Sequence, residues 1–315
     1  MKKIHSNYFF FFLFLLTLFS GCSSSSSDPQ QPIHEKETST AQRITCTDIF
    51  FPKASQTIVY EDETASLDAS HTENGYIMLR YDGTVPKVKL QITIPDETVY
   101  TYTLRSDSYG TYEAFPLSGT DGTYQLDLYE NVMDNKYALI FSQTLSVTLQ
   151  DEFQPYLYPN QYVWFTQDSD VVAKGQALST DSNSDLDYVQ QVYHYVIETI
   201  TYDKEQAATV ESGYIPDPDR TMELQKGICF DYASLMTALL RSQKIPTKLE
   251  VGYSGEAYHA WISVYLDEIG WVDNIIEFDG KDWSLMDPTL AANNSSSSVK
   301  KYIGEGNHYT VKYSY

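Results

Sequence analysis

Basic residues are scarce: 21 Lys and Arg stand against 43 Asp and Glu in 315 residues, a formal net charge of −22. Proteins hold phosphate backbones through Lys- and Arg-driven counterion release, so this balance excludes nucleic-acid binding. The acids are spread along the chain and read as a solvated surface, not an interaction tail. Cysteine is rarer still, at positions 22, 46 and 229 only, too few for a disulfide framework. The six His (5, 34, 71, 194, 259 and 308) never fall at ligand spacing from each other or from Cys, so no metal and no cofactor is called for. No apolar run reaches the ~20 residues that a membrane-crossing helix needs. The longest, Tyr8 to Phe19, is interrupted by Thr17.

That short run does have a use. Lys2 and Lys3 precede it and Gly21-Cys22 follows, the layout of a secretory signal peptide. Leu18-Phe19-Ser20-Gly21-Cys22 resembles a bacterial lipobox, with Phe19 where Leu is usual, and implies lipidation at Cys22. The expected location is the bacterial cell surface, with the chain lipid-anchored to the membrane; a secreted protein cleaved near residue 22 is the alternative. Several acyl chains on one cysteine would anchor stably where one would not. Residues 23–45, Ser-rich and then polar, read as a flexible linker.

From 46 to 155 the pattern has period two. Tyr76–Tyr81, Val88–Ile94, Thr98–Leu104, Tyr124–Tyr129, Tyr137–Phe141 and Leu145–Leu149 are strand candidates, separated by turn clusters such as Asp82-Gly83 and Gly119-Thr120-Asp121-Gly122. Strands at this spacing predict an immunoglobulin-like β-sandwich. Cys46 is expected to fill space near its first strand.

After a Pro- and aromatic-rich connector the period changes. Leu186, Val189, Val192, Tyr193, Val196, Ile197 and Ile200 share a face at 3.6-residue spacing, which predicts a helix over 185–200 capped by Ser184 or Asp185. A second helix is predicted from Ile228 to Arg241. Lys248–Tyr253, His259–Leu266 and Trp283–Thr289 read as strands. The expected fold class is therefore α+β, with a sandwich at 46–155 followed by a second domain at 156–315.

Three residues in that second domain suit one chemistry. Cys229 opens a helix, where unpaired N–H groups and the dipole should lower a thiol pKa and could also stabilise an oxyanion. Gly227 before it would allow a substrate backbone to come close. His259 opens a strand and Asp287 ends another; if these two strands are antiparallel neighbours, the imidazole can sit between carboxylate and thiol. A Cys46–Cys229 disulfide would consume this nucleophile. Each residue alone is commonplace, and it is their conjunction that carries weight. Asp231 and Tyr232 are expected to serve packing or the helix terminus, Trp261 to pack beside the site and Arg241 to hold the fold.

Gly227-x-Cys229-x-Asp231-Tyr232-Ala233, Arg241-x-x-x-Ile245-Pro246, His259-Ala260-Trp261 and Asp287-Pro288-Thr289 together resemble the transglutaminase-like superfamily over roughly 166–315, with 30 residues from Cys to His and 28 from His to Asp. The resemblance implies a papain-like domain with Cys229 as nucleophile, His259 as base and then acid, and Asp287 as the orienting partner. The sequence departs from the pattern in a polar insertion at 273–282. It also has no Trp between Trp164 and Trp261 to act as the upstream oxyanion donor; Tyr202 and Gln225 are the substitutes. The activity implied is thiol acyl transfer on amides of proteins or peptides, cell-wall peptides among them. Hydrolysis by a peptidase or amidase is narrowly preferred to crosslinking. The rival is a catalytically silent binding or scaffold lipoprotein of the same fold.

Overall fold

In the computed structural model, residues 43–267, 269–273, 276–278, 283–285 and 309–315 are described. Cys22, Asp287, the leader and the spacer up to residue 42 lie outside them.

The period-two segment forms eight strands: β1 (Val59–Glu61), β2 (Ala65–Asp68), β3 (Tyr76–Tyr81), β4 (Val88–Thr93), β5 (Val99–Thr103), β6 (Glu113–Pro116), β7 (Gly122–Met133) and β8 (Lys136–Val147). They make two four-stranded antiparallel sheets, ordered β1-β2-β3-β6 and β5-β4-β7-β8. Alternation decides what each strand buries. Val88, Leu90 and Ile92 are buried, with Leu90 opposite Tyr102 and Leu128, while Lys89 and Gln91 are not. Leu67, Ile77 and Leu79 from the other sheet join the same core, and the rings of Tyr102 and Phe115 meet between the sheets at 5.0 Å.

The two runs expected at 137–141 and 145–149 are one strand, β8. Ser142 and Thr144, which break the apolar pattern, are used across the strand pair. Ser142 Oγ donates to Asp127 Oδ1 (2.7 Å) and Thr144 Oγ1 to Gln125 Oε1 (2.6 Å).

The second half contains α1 (Asp170–Thr180), α2 (Asp185–Thr199), β9 (Thr201–Tyr202), α3 (Lys204–Thr209), α4 (Pro218–Leu224), β10 (Lys226–Gly227) and α5 (Cys229–Ser242). These are followed by β11 (Thr247–Ser254), β12 (Ala257–Leu266), β13 (Gly270–Val272), β14 (Ile276–Phe278), β15 (Trp283–Leu285) and β16 (Tyr309–Ser314). α2 starts where the capping pattern predicts: Ser184 Oγ accepts the Asp187 N–H at 3.1 Å. α5 is buried along nearly its whole length, against α1, α2 and α4 on its flanks and the antiparallel sheet β13-β12-β11-β16. Leu249, Val251, Ala260, Ile262 and Val264 supply the sheet's share of that core.

Three expectations meet a different structure. Cys46 does not lie near the first strand. It sits 13 residues before β1, where its N–H donates to Gln243 Oε1 (2.9 Å) at the end of α5. Arg43 fixes the same strap through Asp185 (2.7 Å), Ser179 and the Gln243 carbonyl. The condition that the His259 strand and the strand at 283–289 be paired is not met among the described residues, where β12 pairs with β11 and β13, and β15 with β14. The insertion at 273–282, expected to be polar, contains a strand of its own, Ile276-Glu277-Phe278, which takes β15 as partner.

Candidate active site

The chain reaches Cys229 along a fixed track. β10 runs parallel to β9 with Gly227 level with Tyr202; Asp203 N–H donates to the Gly227 carbonyl and Thr201 N–H to the Gln225 carbonyl, both at 2.8 Å. Ile228 then adopts an extended conformation as N-cap and Cys229 is the first residue of α5. Ile228 has no side-chain oxygen to cap the helix, so only half of a capping box exists: Asp231 Oδ2 reaches back to the Ile228 N–H at 2.8 Å. Tyr214 Oη donates to the same carboxylate at 2.6 Å and Gln206 Nε2 at 3.3 Å. Burial still pushes the Asp231 carboxyl up against these three donors. Tyr232 Oη donates to the Ile200 carbonyl, tying the helix to the end of α2.

This arrangement gives Gly227 a steric reason. A Cβ there would lie 2.6 Å from Asp231 Cβ and 2.9 Å from its Oδ2. The glycine makes room for the folded-back Asp231 side chain. Tyr214 and Gln206 were not singled out from the sequence, because they come from a polar stretch without periodicity.

Across from α5, His259 is half-buried on β12 opposite Gly252 of β11. A Cβ at Gly252 would be 2.0 Å from the Thr310 carbonyl oxygen, so only glycine lets β16 pair with β11 beside the His259 position. Trp261 lies two residues further along, its ring 6.3 Å from the imidazole and near-parallel to it. The indole Nε1–H donates to Glu250 Oε2 (2.7 Å), which also accepts from Ser263 Oγ (2.7 Å). Trp261 thus packs beside His259, held by a buried carboxylate whose pKa burial raises.

The two halves of the site meet at the sulfur. Burial pushes the Cys229 thiol up, while the backbone amides of Ala260 and Phe230, and its own, act in the opposite sense. Ala260 directly follows His259, so the start of α5 faces the His259 strand. The helix N-terminus was expected to lower this pKa; desolvation of a half-buried thiol outweighs it. The consequence has a clear sign. A raised pKa moves the thiolate fraction to higher pH, and only the thiolate alkylates. Iodoacetamide labelling of Cys229 should therefore keep rising past pH ~8.5, the value for a free thiol; a plateau near pH 6 would show a preformed thiolate. Cys46 and Cys229 are both free thiols, with no bridge between them.

Of the two substitutes for the oxyanion donor, Tyr202 is half-buried on β9, beside Gly227, and Cys229 is one of the causes, after burial, that raise its hydroxyl pKa. Gln225 is exposed, in a left-handed conformation (φ 51°) at the end of α4. Arg241 is fully buried and holds segments far apart in sequence, donating to the Tyr158 carbonyl and to Tyr315 O.

A cysteine-headed central helix packed on an antiparallel sheet that carries a histidine next to it defines an α+β cysteine-site domain. Residues 173–274 match the model of the transglutaminase-like superfamily, so the chain carries a transglutaminase-like domain. The match includes Cys229 and His259. The chain is also 31% identical over 91 residues to the UPF0252 protein MJ1282 of Methanocaldococcus jannaschii, covering 25% of this chain and only 26% of that protein. Among solved structures, a protein of Cytophaga hutchinsonii provisionally called a cysteine protease is similar at 13% identity and TM-score 0.33, over 69% of this chain and 67% of that one. Red sea bream transglutaminase is similar at 13% identity and TM-score 0.27, over 70% of this chain and 48% of that one.

Proposed function

We propose that this chain is a thiol acyl-transfer enzyme acting on amide groups of proteins or peptides, with Cys229 as nucleophile, His259 as base and then acid, and Asp287 orienting the imidazole. The observation that carries this reading is the approach of the Ala260 amide, next to His259, to the Cys229 sulfur at the head of α5. A thiol whose pKa is raised needs a base to take its proton as it attacks, and His259 is the residue assigned to that step. The sulfur adds to the amide carbonyl, and the Cys229 N–H with Tyr202 Oη stabilises the oxyanion. His259 hands the proton to the departing ammonia or amine, leaving a thioester on Cys229. Water resolves it to a carboxylate; a primary amine resolves it to a new amide. Hydrolysis is the preferred outcome.

The surrounding architecture belongs to the same proposal. Strands β2-β3-β6 in one sheet and β5-β4-β7-β8 in the other follow the pairing of an immunoglobulin-like sandwich with an additional edge strand, which supports that reading for the N-terminal domain. Lipidation at Cys22 would hold the enzyme at the cell surface. The reaction is tested with degenerate glutamine peptides and a tagged primary amine. Ammonia or peptide release without incorporation of the tag is expected; incorporation makes the enzyme a crosslinker, and neither outcome sinks the enzymatic reading.

A further inference from the structure

Strands β11 and β12 run on past the head of α5, and what they present there is aromatic. Val251 pairs with Ala260 in the core beneath α5, and the Ala260 amide reaches the Cys229 sulfur. One step further on the same face, Tyr253 pairs with Tyr258, their rings 5.5 Å apart and edge to face at 68°. Tyr258 is 60% exposed and Tyr253 36%, whereas Val251 and Ala260 are buried. The charged residues on 253–258 and 309–313 are Glu256, exposed in the hairpin turn, and Lys312, whose Nζ lies 5.4 Å from the Tyr253 ring.

A second set of contacts ties this pair to the residue after the nucleophile. Tyr162 of the connector stands 5.5 Å, ring to ring, from Phe230. Burial pushes the Tyr162 hydroxyl up to about 12, and Tyr258 and Tyr313 act on it in the same sense, so both lie close to it. Tyr313 is opposite Val251 on β16 and shares its face. Cys229 is thus flanked by Tyr202 on the β9 side and by a tyrosine group on the sheet side.

Tyrosine offers a large, rigid, partly apolar area at little entropic cost, so grouped and exposed rings gain when an apolar side chain packs against them. Alternate residues of a strand are about 6.6 Å apart. That is the separation of Tyr258 from Ala260, and equally of alternate residues in an extended peptide. A peptide whose carbonyl lies at Cys229 therefore brings its next or next-but-one side chain to Tyr258. We infer that Tyr253 and Tyr258, backed by Tyr162, form a subsite for a large apolar side chain, of Phe or Leu type, one or two residues from the amide that Cys229 attacks. The inference deepens the reading of Cys229 as nucleophile and rests on it.

The test uses the full chain carrying Cys229→Ala, which separates binding from turnover. The probes are dye-labelled hexapeptide pools, blocked at both ends, with Gln at the third position and Phe, Leu or Ala fixed at the two positions on either side. The Phe and Leu pools should bind at least ~10-fold more tightly than the Ala pool, as burial of one large apolar side chain allows. Tyr258→Thr keeps a strand-forming residue at an exposed position, so thermal melting should not move. With Tyr253→Thr added, the preference should fall to within about twofold, and Tyr258→Trp should retain it. Equal binding of the three pools, binding by none, or a preference that survives the double variant overturns the proposal. So does an N-acetylglucosamine tetramer that binds more tightly than the Phe pool and is lost with the double variant, since the rings would then serve a sugar. The apolar preference in a protein whose wild type turns over no peptide would keep the peptide site and sink the enzyme; turnover without the preference would do the reverse.

Discussion

Cys229→Ala abolishes amide turnover and leaves the protein folded. The sulfur forms the bond to the substrate, so its loss removes the covalent route entirely; losses of about 10⁴- to 10⁶-fold are typical when a nucleophile acting with a base is deleted. The fold does not depend on it. The helix start is capped by Asp231 on the Ile228 N–H, and the Gly227 space is filled by Asp231, not by Cys229. His259→Ala should cost about 10²- to 10⁴-fold, the range for removal of a general base. Ammonia release measured alongside a thermal melt checks both variants. Cys229→Ala activity within tenfold of wild type would contradict the assignment.

Arg241→Met should unfold or severely destabilise the protein without touching the chemistry. The guanidinium is fully buried at the end of α5 and forms no ion pair with an Asp or Glu side chain among the described residues. Its Nε and Nη2 donate to the Thr247 carbonyl (2.9 and 2.7 Å), Nη1 to the Tyr158 carbonyl (2.8 Å), and Nη2 also to Tyr315 O. One side chain thereby joins the connector, the start of β11 and the end of β16. Burial pushes its pKa down to about 9, so it is still charged at neutral pH, and backbone oxygens surround it. Methionine would fill much of the volume but leave three backbone oxygens without this donor, a loss of about 3–5 kcal/mol by analogy with breaking a buried charged network. Lysine, a point charge without the planar fork, should recover only part of this. Urea denaturation reads the effect; a change below ~1 kcal/mol would mean that the carbonyls find other donors.

Where a segment buries one face through regular spacing, its structure was legible in the sequence. α2 and β4 fall almost where periodicity puts them, and Cys229 and His259 stand at the head of a helix and on a strand beside it. α1 was invisible because the face it buries includes Gly175 and Ser179, small residues chosen for close approach: a Cβ on Gly175 would come within 2.4 Å of Ser242 Oγ. β1, β2 and β6, at three or four residues each, are too short to show alternation. β16 pairs with β11 across some sixty residues of sequence, a distance at which no local pattern reports the partner. At the site, residue types were readable but balances were not. The helix dipole argued for a depressed thiol pKa, and only the burial of Cys229 shows that desolvation prevails. Asp231 was expected to serve the helix terminus, but its cage of Tyr214 and Gln206 depends on a loop whose path the sequence does not encode locally.

Acyl transfer by this chain requires a thioester at Cys229. A dye-labelled degenerate glutamine-peptide pool, mixed with the wild-type chain, quenched in acid and digested, should leave dye on the fragment containing Cys229. None should remain on that fragment in Cys229→Ala, and His259→Ala should retain far less. No dye on the Cys229 fragment, or dye found instead on the fragment containing Cys46, would contradict it.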